Sequence, residues 1–354
     1  MRLALLPVAA LLVAGCARTP PRPEGSSGSP GGPRPELELV ARSPRQWTGI
    51  AVSKEGRIFV NFPRWSDDVP TSVAEVKDGA IVPWPDEAWN GWTPEAGAEG
   101  RFVAVQSVVI DRKNRLWVLD TGNPGFKGVI APPRLHQFAL SGGPPVRTYV
   151  FPPEVSSGDS YLNDVSVDTE RELAYLTDSQ AGGLVVLELK GGGARKVLAQ
   201  HPSTHAEASQ LTVMGRTWQK AVQSDGIALS PDGKTLYWSV LTGHSLWRIP
   251  TEALLDATLQ DEALGSRVER VHTVVAPDGI FFDRKGVLWL GGLENSSINR
   301  YVPGGTYEQV IQDDRLRWPD SLAEGPEGKI YVTTSQIYLP PAERGPYEIY
   351  RFSP

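Results

Sequence analysis

The sequence predicts an all-β chain folded as a six-bladed β-propeller with a short helical insertion. Three observations predict it. First, one pattern recurs six times: a polar residue, a small residue or Asp, then apolar-rich positions. Its copies begin at Thr48, Gln106, Asn163, Asp225, Asp278 and Asp320 and read TGIAVS, QSVVID, NDVSVD, DGIALS, DGIFFD and DSLAEG. Second, a strand-like run follows each copy: Arg57–Val60, Leu116–Leu119, Leu173–Leu176, Leu236–Trp238, Leu288–Leu290 and Ile330–Val332. Third, tight-turn residues separate most of these pairs, as in Lys54-Glu55-Gly56, Pro231-Asp232-Gly233 and Arg284-Lys285-Gly286. Gly there supplies the positive φ that tight hairpins require. A repeat of roughly 40–60 residues, two hairpins long, is one propeller blade. The first residue of each copy then starts the innermost strand of its blade, at one mouth of the central channel.

Residues 1–15 read as a lipoprotein signal peptide. Arg2 gives a small positive region, and Leu3 to Ala14 is a nearly unbroken apolar run. That run is shorter than the roughly 20 residues a spanning helix needs. Val13-Ala14-Gly15-Cys16 resembles a bacterial lipobox, which makes Cys16, the one cysteine, the lipidation site. Residues 16–35 carry this Cys and a flexible tether rich in Pro, Gly and Ser. The expected location is extracytoplasmic: a membrane-anchored lipoprotein of the outer membrane or cell surface, otherwise a secreted protein. Contact with membrane is expected through the lipid anchor alone. A net charge of −6 argues against nucleic acid as a partner, since that needs a clustered positive surface.

Residues 36–354 form the expected propeller. Leu37 to Ala41 alternates in polarity and is the candidate fourth strand of blade six. That strand would join the ends of the ring. One helix is expected, with Thr251 capping Glu252 to Leu264. Loops 61–71, 84–104, 120–130, 152–162, 201–223 and 335–346 open on the face where the inner strands start. They carry Trp65, Trp84, Trp89, Trp92, Phe126, Tyr161, Trp218 and Tyr338. Aromatic-rich loops over one channel mouth are the usual design of a small-molecule site. The alternative is that they pack the loops onto the disc. Trp65, Trp84, Trp89, Trp92, Trp218 and Tyr338 are the candidate rim aromatics.

The candidate ligand-binding residues at the channel mouth are Thr48, Gln106, Asn163, Asp225, Asp278 and Asp320. If Asp225, Asp278 and Asp320 all point inward beside Asn163, they cannot all stay ionised without help. A bound cation, a raised pKa or a cationic partner would each relieve them. Asn163, Asp225 and Asp278 are candidate metal ligands, and oxygen donors favour Ca2+ or another hard divalent cation. The structural alternative is that Asp before Gly caps a tight crossover turn. No motif for a nucleophile, a zinc protease or a phosphate loop is present. None of His136, His201, His205, His244 and His272 is singled out as an acid or base, and catalytic residues stay unassigned.

Longer motifs resemble a known family. Gly56-Arg57-Ile58-Phe59-Val60-Asn61-Phe62-Pro63-Arg64-Trp65, with Val69-Pro70 after it, is similar to the first signature of the Yellow / major royal jelly protein family. Val108-Val109-Ile110-Asp111 with Asn114-Arg115-Leu116-Trp117-Val118-Leu119-Asp120-Thr121-Gly122 is similar to the second. Leu135-His136-Gln137-Phe138, Leu162-Asn163-Asp164-Val165, Asp225 to Pro231 and Trp318-Pro319-Asp320-Ser321-Leu322 extend the match. With the lipobox-like leader, the chain resembles a bacterial member. The resemblance implies a secreted six-bladed propeller. It implies function less narrowly, since members include pigmentation proteins, dopachrome-converting enzymes, nutritive jelly proteins and binders of biogenic amines. More distantly the chain resembles the gluconolactonase/regucalcin-like propellers, which hold a divalent cation with a Glu, two Asn and an Asp. Asn163 and Asp278 match that set, while Asp225 and Thr48 depart from it. The expected function is therefore binding of a small polar or aromatic molecule in the central channel. The alternatives are an isomerase of the dopachrome-converting kind, a metal-assisted lactonase, or a scaffold that binds protein or glycan at its rim.

Overall fold

The computed structural model describes residues 35–354. The signal peptide, Cys16 and nearly all of the tether lie outside the described residues. Six four-stranded antiparallel sheets make the ring. Blade one is Ile50–Val52, Ile58–Asn61, Val73–Lys77 and Ala80–Pro83. Blade two is Val105–Ile110, Arg115–Asp120, Arg134–Ala139 and Arg147–Val150. Blade three is Leu162–Asp168, Leu173–Asp178, Leu184–Glu188 and Ala194–Val197. Blade four is Ser224–Leu229, Thr235–Val240, Ser245–Pro250 and Glu269–Thr273. Blade five is Pro277–Phe282, Leu288–Gly292, Ser297–Tyr301 and Tyr307–Gln312. Blade six is Pro319–Glu324, Ile330–Thr334, Tyr347–Phe352 and, on its outer edge, the N-terminal strand Glu38–Ser43. The first strand of each blade is innermost, and successive inner strands pack on one another in a closed circle from blade six back to blade one.

Second strands are buried on both faces because each is covered by a neighbouring blade on either side. Leu173–Asp178 is buried along its whole length, and Trp117, Trp238 and Trp289 from these strands are among the largest fully buried side chains. The Asp that ends two repeats has a structural task. Asp111 accepts the Trp117 indole N–H at 2.8 Å, and Asp283 accepts that of Trp289 at 2.9 Å. The same carboxyls take N–H groups of the turn between the first two strands.

The inner strands carry the feature that aims the site. Their pairing with the second strand slips between Val105 and Ser107, Leu162 and Val165, Ser224 and Ile227, Pro277 and Ile280, and Pro319 and Leu322. Each slip is a β-bulge, which bends a strand and re-aims side chains. It falls on Gln106, Asn163, Asp225, Asp278 or Asp320. The glycines that follow two of these acids permit close approach. A Cβ on Gly226 would overlap the Asp278 carbonyl, and one on Gly279 would overlap that of Asp320.

The helical expectation is corrected. Instead of one helix over Glu252 to Leu264, two single turns form, Thr251–Leu255 and Asp261–Gly265. A third lies at Glu87–Asn90. Thr251 is not a cap: its hydroxyl donates to the Gly233 carbonyl at 2.7 Å, within the first turn. Leu254 and Leu264 bury against blades three and four, and a turn closed by the Leu259 N–H on the Asp256 carbonyl separates the two helical turns.

The ring is closed by antiparallel pairing of Glu38–Ser43 with Tyr347–Phe352. Leu37 and Ala41 enter the core, and Glu38 pairs with Arg351 at 2.8 Å. Deleting residues 1–42 exposes the Tyr347–Phe352 edge. We expect a loss on the order of 3 kcal/mol, read as a lower midpoint in thermal or urea unfolding; an unchanged midpoint would mean that the strand does not close the ring.

Candidate functional site

A cavity of about 880 Å³ opens at the mouth where the inner strands begin. Gln106, Asn163, Asp225, Asp278 and Asp320 line its floor, brought there by the five bulges. Thr48 is not among them. Blade one has no bulge at this point, and Thr48 is buried by an inter-blade clasp. Its hydroxyl accepts from Asn61 Nδ2 at 2.9 Å, and its carbonyl accepts from the Thr333 hydroxyl at 2.5 Å.

Directed hydrogen bonds connect the floor. The Trp65 indole donates to the Tyr161 hydroxyl at 2.8 Å, which donates to Gln106 Oε1 at 2.8 Å. Gln106 Nε2 donates to Asn163 Oδ1 at 3.0 Å, and Asn163 Nδ2 donates to Asp225 Oδ1 at 2.6 Å. From the opposite side, the Trp318 indole donates to Asp278 Oδ2 at 2.5 Å. Asp225 and Asp278 each act on the other's ionisation. An indole N–H can only donate, so both ends of the chain push donors towards this pair.

Asp225, Asp278 and Asp320 are 4%, 7% and 5% exposed, and among the described residues no basic side chain hydrogen-bonds them. Burial, then the charges of Asp164 and Asp320, pushes the Asp225 carboxyl well above the usual carboxylate range. Burial, then the charges of Asp320 and Asp225, does the same to Asp278. Burial takes Asp320 up to about 7, against the opposing hydrogen bond of the Ser321 hydroxyl at 3.1 Å. It takes Asp164, which hydrogen-bonds the Ser107 hydroxyl at 2.7 Å, up to about 6. A raised pKa is the structure's remedy for the crowded acids. Turn capping is not their task. Among the described residues neither Asp225 nor Asp278 accepts a backbone N–H, whereas Asp120 accepts those of Val103, Ala104 and Gly122.

The divalent-ion set does not fit this floor. Asn163 turns its nitrogen to Asp225 and spends its oxygen on Gln106. Thr48 holds the position of the missing Glu and is buried away from the cavity. Among the described residues no three or more His, Cys, Asp or Glu are grouped to hold a metal.

The cavity walls are aromatic, though not by all of the expected residues. Trp65, Phe126, Tyr161, Trp218 and Trp318 line it. Phe126 stacks on Tyr161 at 4.6 Å and on Trp65 at 5.8 Å, and Trp218 meets Trp318 edge-on at 4.9 Å. Trp218 arrives on the hairpin Leu211–Val213/Arg216–Trp218, an insertion between blades three and four. Phe126 and Trp318 hold φ of +57° and +64°, a region bulky side chains rarely take and one associated with functional sites. Trp84, Trp89, Trp92 and Tyr338 do not line the cavity. Trp84 is buried between Phe59 and Phe138, and Trp89 packs on Phe102 and His136. Trp92 lies beneath the Arg64 guanidinium, and Tyr338 stacks behind Trp318. Loop 84–104 thus packs onto blades one and two. Trp318, Asp164, Lys220 and Arg344 also line the cavity and escaped the sequence reading. Trp318 precedes the sixth repeat directly, and that adjacency was its one available signal.

No histidine lines the cavity. His201 bonds Ser203, and His205 bonds the Ala199 carbonyl. His136 is caged by aromatic rings, and burial pushes its pKa down to about 3.

The raised acids make stability depend on pH. Their folded pKa values exceed the unfolded one, so their contribution is full below about pH 4 and is lost as pH rises, for Asp320 through about pH 7. His136 acts oppositely, costing stability as pH falls from about 6.5 towards about 3. We expect Asp320→Asn to lose less stability than wild type between pH 4 and 8, by up to about 4 kcal/mol. Parallel urea-unfolding curves for the two proteins would refute the burial of an ionisable Asp320.

Comparison with known proteins agrees with this architecture. The Major royal jelly protein family profile matches residues 103–338, well over half of the chain. Major royal jelly protein 5 of Apis mellifera is 24% identical over 315 residues, covering 84% of this chain and 49% of that protein. Protein yellow of Drosophila erecta is 27% identical over 254 residues, covering 63% and 46%. The chain spans about half the length of the curated relatives it matches. Among solved structures, a gluconolactonase from Xanthomonas campestris superposes with a TM-score of 0.54 at 14% identity, covering 90% of this chain and 89% of that one, a likeness of fold alone. The ring of six blades, its acid-floored channel and the profile match together place the chain in the Yellow / major royal jelly protein family.

Proposed function

We propose that this protein is an extracytoplasmic Yellow-type propeller that binds a small polar or aromatic molecule in its central channel. One observation carries the reading: a single cavity joins a floor of buried acids to walls of stacked aromatic rings. Its volume of about 880 Å³ lies in the range of small-molecule sites, roughly 300–1,000 Å³. The acids offer strong hydrogen bonds to a polar head, and the ring faces attract a planar or cationic body. A second reading, an isomerase, draws support from the Asp225–Asp278 pair. A carboxyl kept protonated by its raised pKa can give a proton to one ligand atom while an ionised neighbour takes one from another. The floor lacks the donor set of a metal-assisted lactonase.

A panel of aromatic amines, catechols and phenols should include ligands that raise the melting temperature of wild-type protein. At a hundredfold excess over Kd the gain is about 2.7 kcal/mol. Phe126→Ala and Trp218→Ala should each weaken binding about tenfold, as expected for the loss of one stacking or cation–π partner worth roughly 1–2 kcal/mol. No shift with any of these ligand classes would sink the channel-binding reading.

For location, the lipobox-like Val13-Ala14-Gly15-Cys16 supports a lipid anchor. Cys16→Ser should move the protein out of the membrane fraction and abolish labelling with palmitate. A mutant that stays in the membrane fraction and still takes label would refute the anchor.

A further inference from the structure

Lys220 lines the cavity above the aromatic walls and has no carboxylate within ion-pair distance among the described residues. Neighbouring rim cations are different: Arg45 pairs with Asp68 and Arg216 with Glu343, both at 2.7 Å. The Lys220 ammonium lies 5.5 Å from the centre of the Phe126 ring and 6.0 Å from that of Trp218.

Two aromatic ladders connect this cation to the acid floor. On one side Gln106 bonds Tyr161 at 2.8 Å, Tyr161 stacks on Phe126 at 4.6 Å, and Phe126 meets Lys220. On the other, Asp278 bonds Trp318 at 2.5 Å, Trp318 meets Trp218 at 4.9 Å, and Trp218 meets Lys220. Two rings therefore separate Asp278 from the ammonium along the Trp318–Trp218 wall. Along the other wall two rings separate the ammonium from Gln106, which reaches Asp225 through Asn163. The acids lack a basic partner, and the base lacks an acidic one. The loops hold these opposite charges at two ends of one cavity, so neither neutralises the other. Arg344 adds to the basic end. It lines the same cavity and donates to neutral acceptors, the carbonyls of Leu339 and Ile337 and the side chain of Gln46.

We propose that the cavity is built for an amphoteric aromatic molecule, with a cationic group on the Asp225–Asp278 pair and an anionic group at Lys220. The inference rests on the reading of the channel as a small-molecule site and specifies the class of ligand. Its aromatic body lies between the Phe126 and Trp218 walls. The cationic group takes the place of a proton held by the pair, and that proton leaves to bulk water. Both end charges of the site then acquire partners in a partly desolvated cavity, where Coulomb attraction exceeds its value in water. A ligand with one charge satisfies one end alone.

Three matched probes test this: 4-(aminomethyl)benzoate, benzylamine and benzoate, titrated by calorimetry into the full chain. We expect the zwitterion to bind at least tenfold tighter than either singly charged probe. Lys220→Gln should bring the zwitterion down to the level of benzylamine and leave benzylamine unchanged. Asp278→Asn should weaken both amines and leave benzoate unaffected. Equal affinity of benzylamine and the zwitterion, or a Lys220→Gln protein that binds the zwitterion as wild type does, overturns the two-ended site while the channel-binding reading stands. Failure of all three probes overturns the inference, and the channel-binding reading falls with it only if the wider aromatic panel also gives no shift.

Discussion

The structure depends on the close approach of the inner strands where the ring converges. Each blade is a twisted antiparallel sheet, and six of them meet only if their innermost strands pack almost backbone to backbone. Gly226 and Gly279 mark the tightest of these meetings, each against the carbonyl of the next blade's acid. The bulges beside them turn the preceding side chains out of the sheets and into the axis. The same crowding that closes the channel thus forces Asp225, Asp278 and Asp320 together, and the N-terminal strand on blade six holds the circle shut. Fold and site are consequences of one constraint.

That convergence is costly. Buried carboxyls without a cation lose hydration and repel one another. The protein limits the cost by keeping carboxyl pKa values raised and with donors from Asn163 and Trp318. Those donors are themselves fixed, because Trp65 orients Tyr161, Gln106 and Asn163 in turn. A floor arranged purely for stability would place apolar residues here, as the second strands of the blades largely do. Retaining three acids, and two aromatic residues at positive φ beside them, is the local departure from stability expected of a binding or reactive site.

The architecture was legible in the sequence because a blade repeats. Six copies of one pattern gave the blades, the inner-strand starts and the closing strand. The floor was largely legible too, since five of six candidate positions line the cavity. What the pattern could not reveal is the bulge, which depends on how one strand registers with its partner. Without it, Asp before Gly reads equally well as a turn cap, and Thr48 reads as the equal of Asp225. The aromatic rim was less legible for a related reason. A tryptophan in a long loop can cover a ligand or anchor the loop, and local sequence does not distinguish the two. Trp84 and Trp89 anchor, because the grooves beside Phe59, Phe102 and Phe138 accept them. Trp318 reaches the site through an indole bond to a residue forty positions away, a contact that no local pattern encodes.

The opposed charges of the cavity follow from the division of labour within the fold. Inner strands supply the floor and belong to the repeat, so their chemistry is constrained by ring closure. Loops supply the roof and are free of the repeat, so an insertion such as the Leu211–Trp218 hairpin can bring Trp218 and Lys220 over the channel without disturbing any blade. A floor fixed by packing and a roof set by loops is an arrangement in which ligand choice can change while the propeller does not. Under the proposed channel-binding reading, the loop residues facing the cavity would set which ligand fits, and the aspartates would set its polarity.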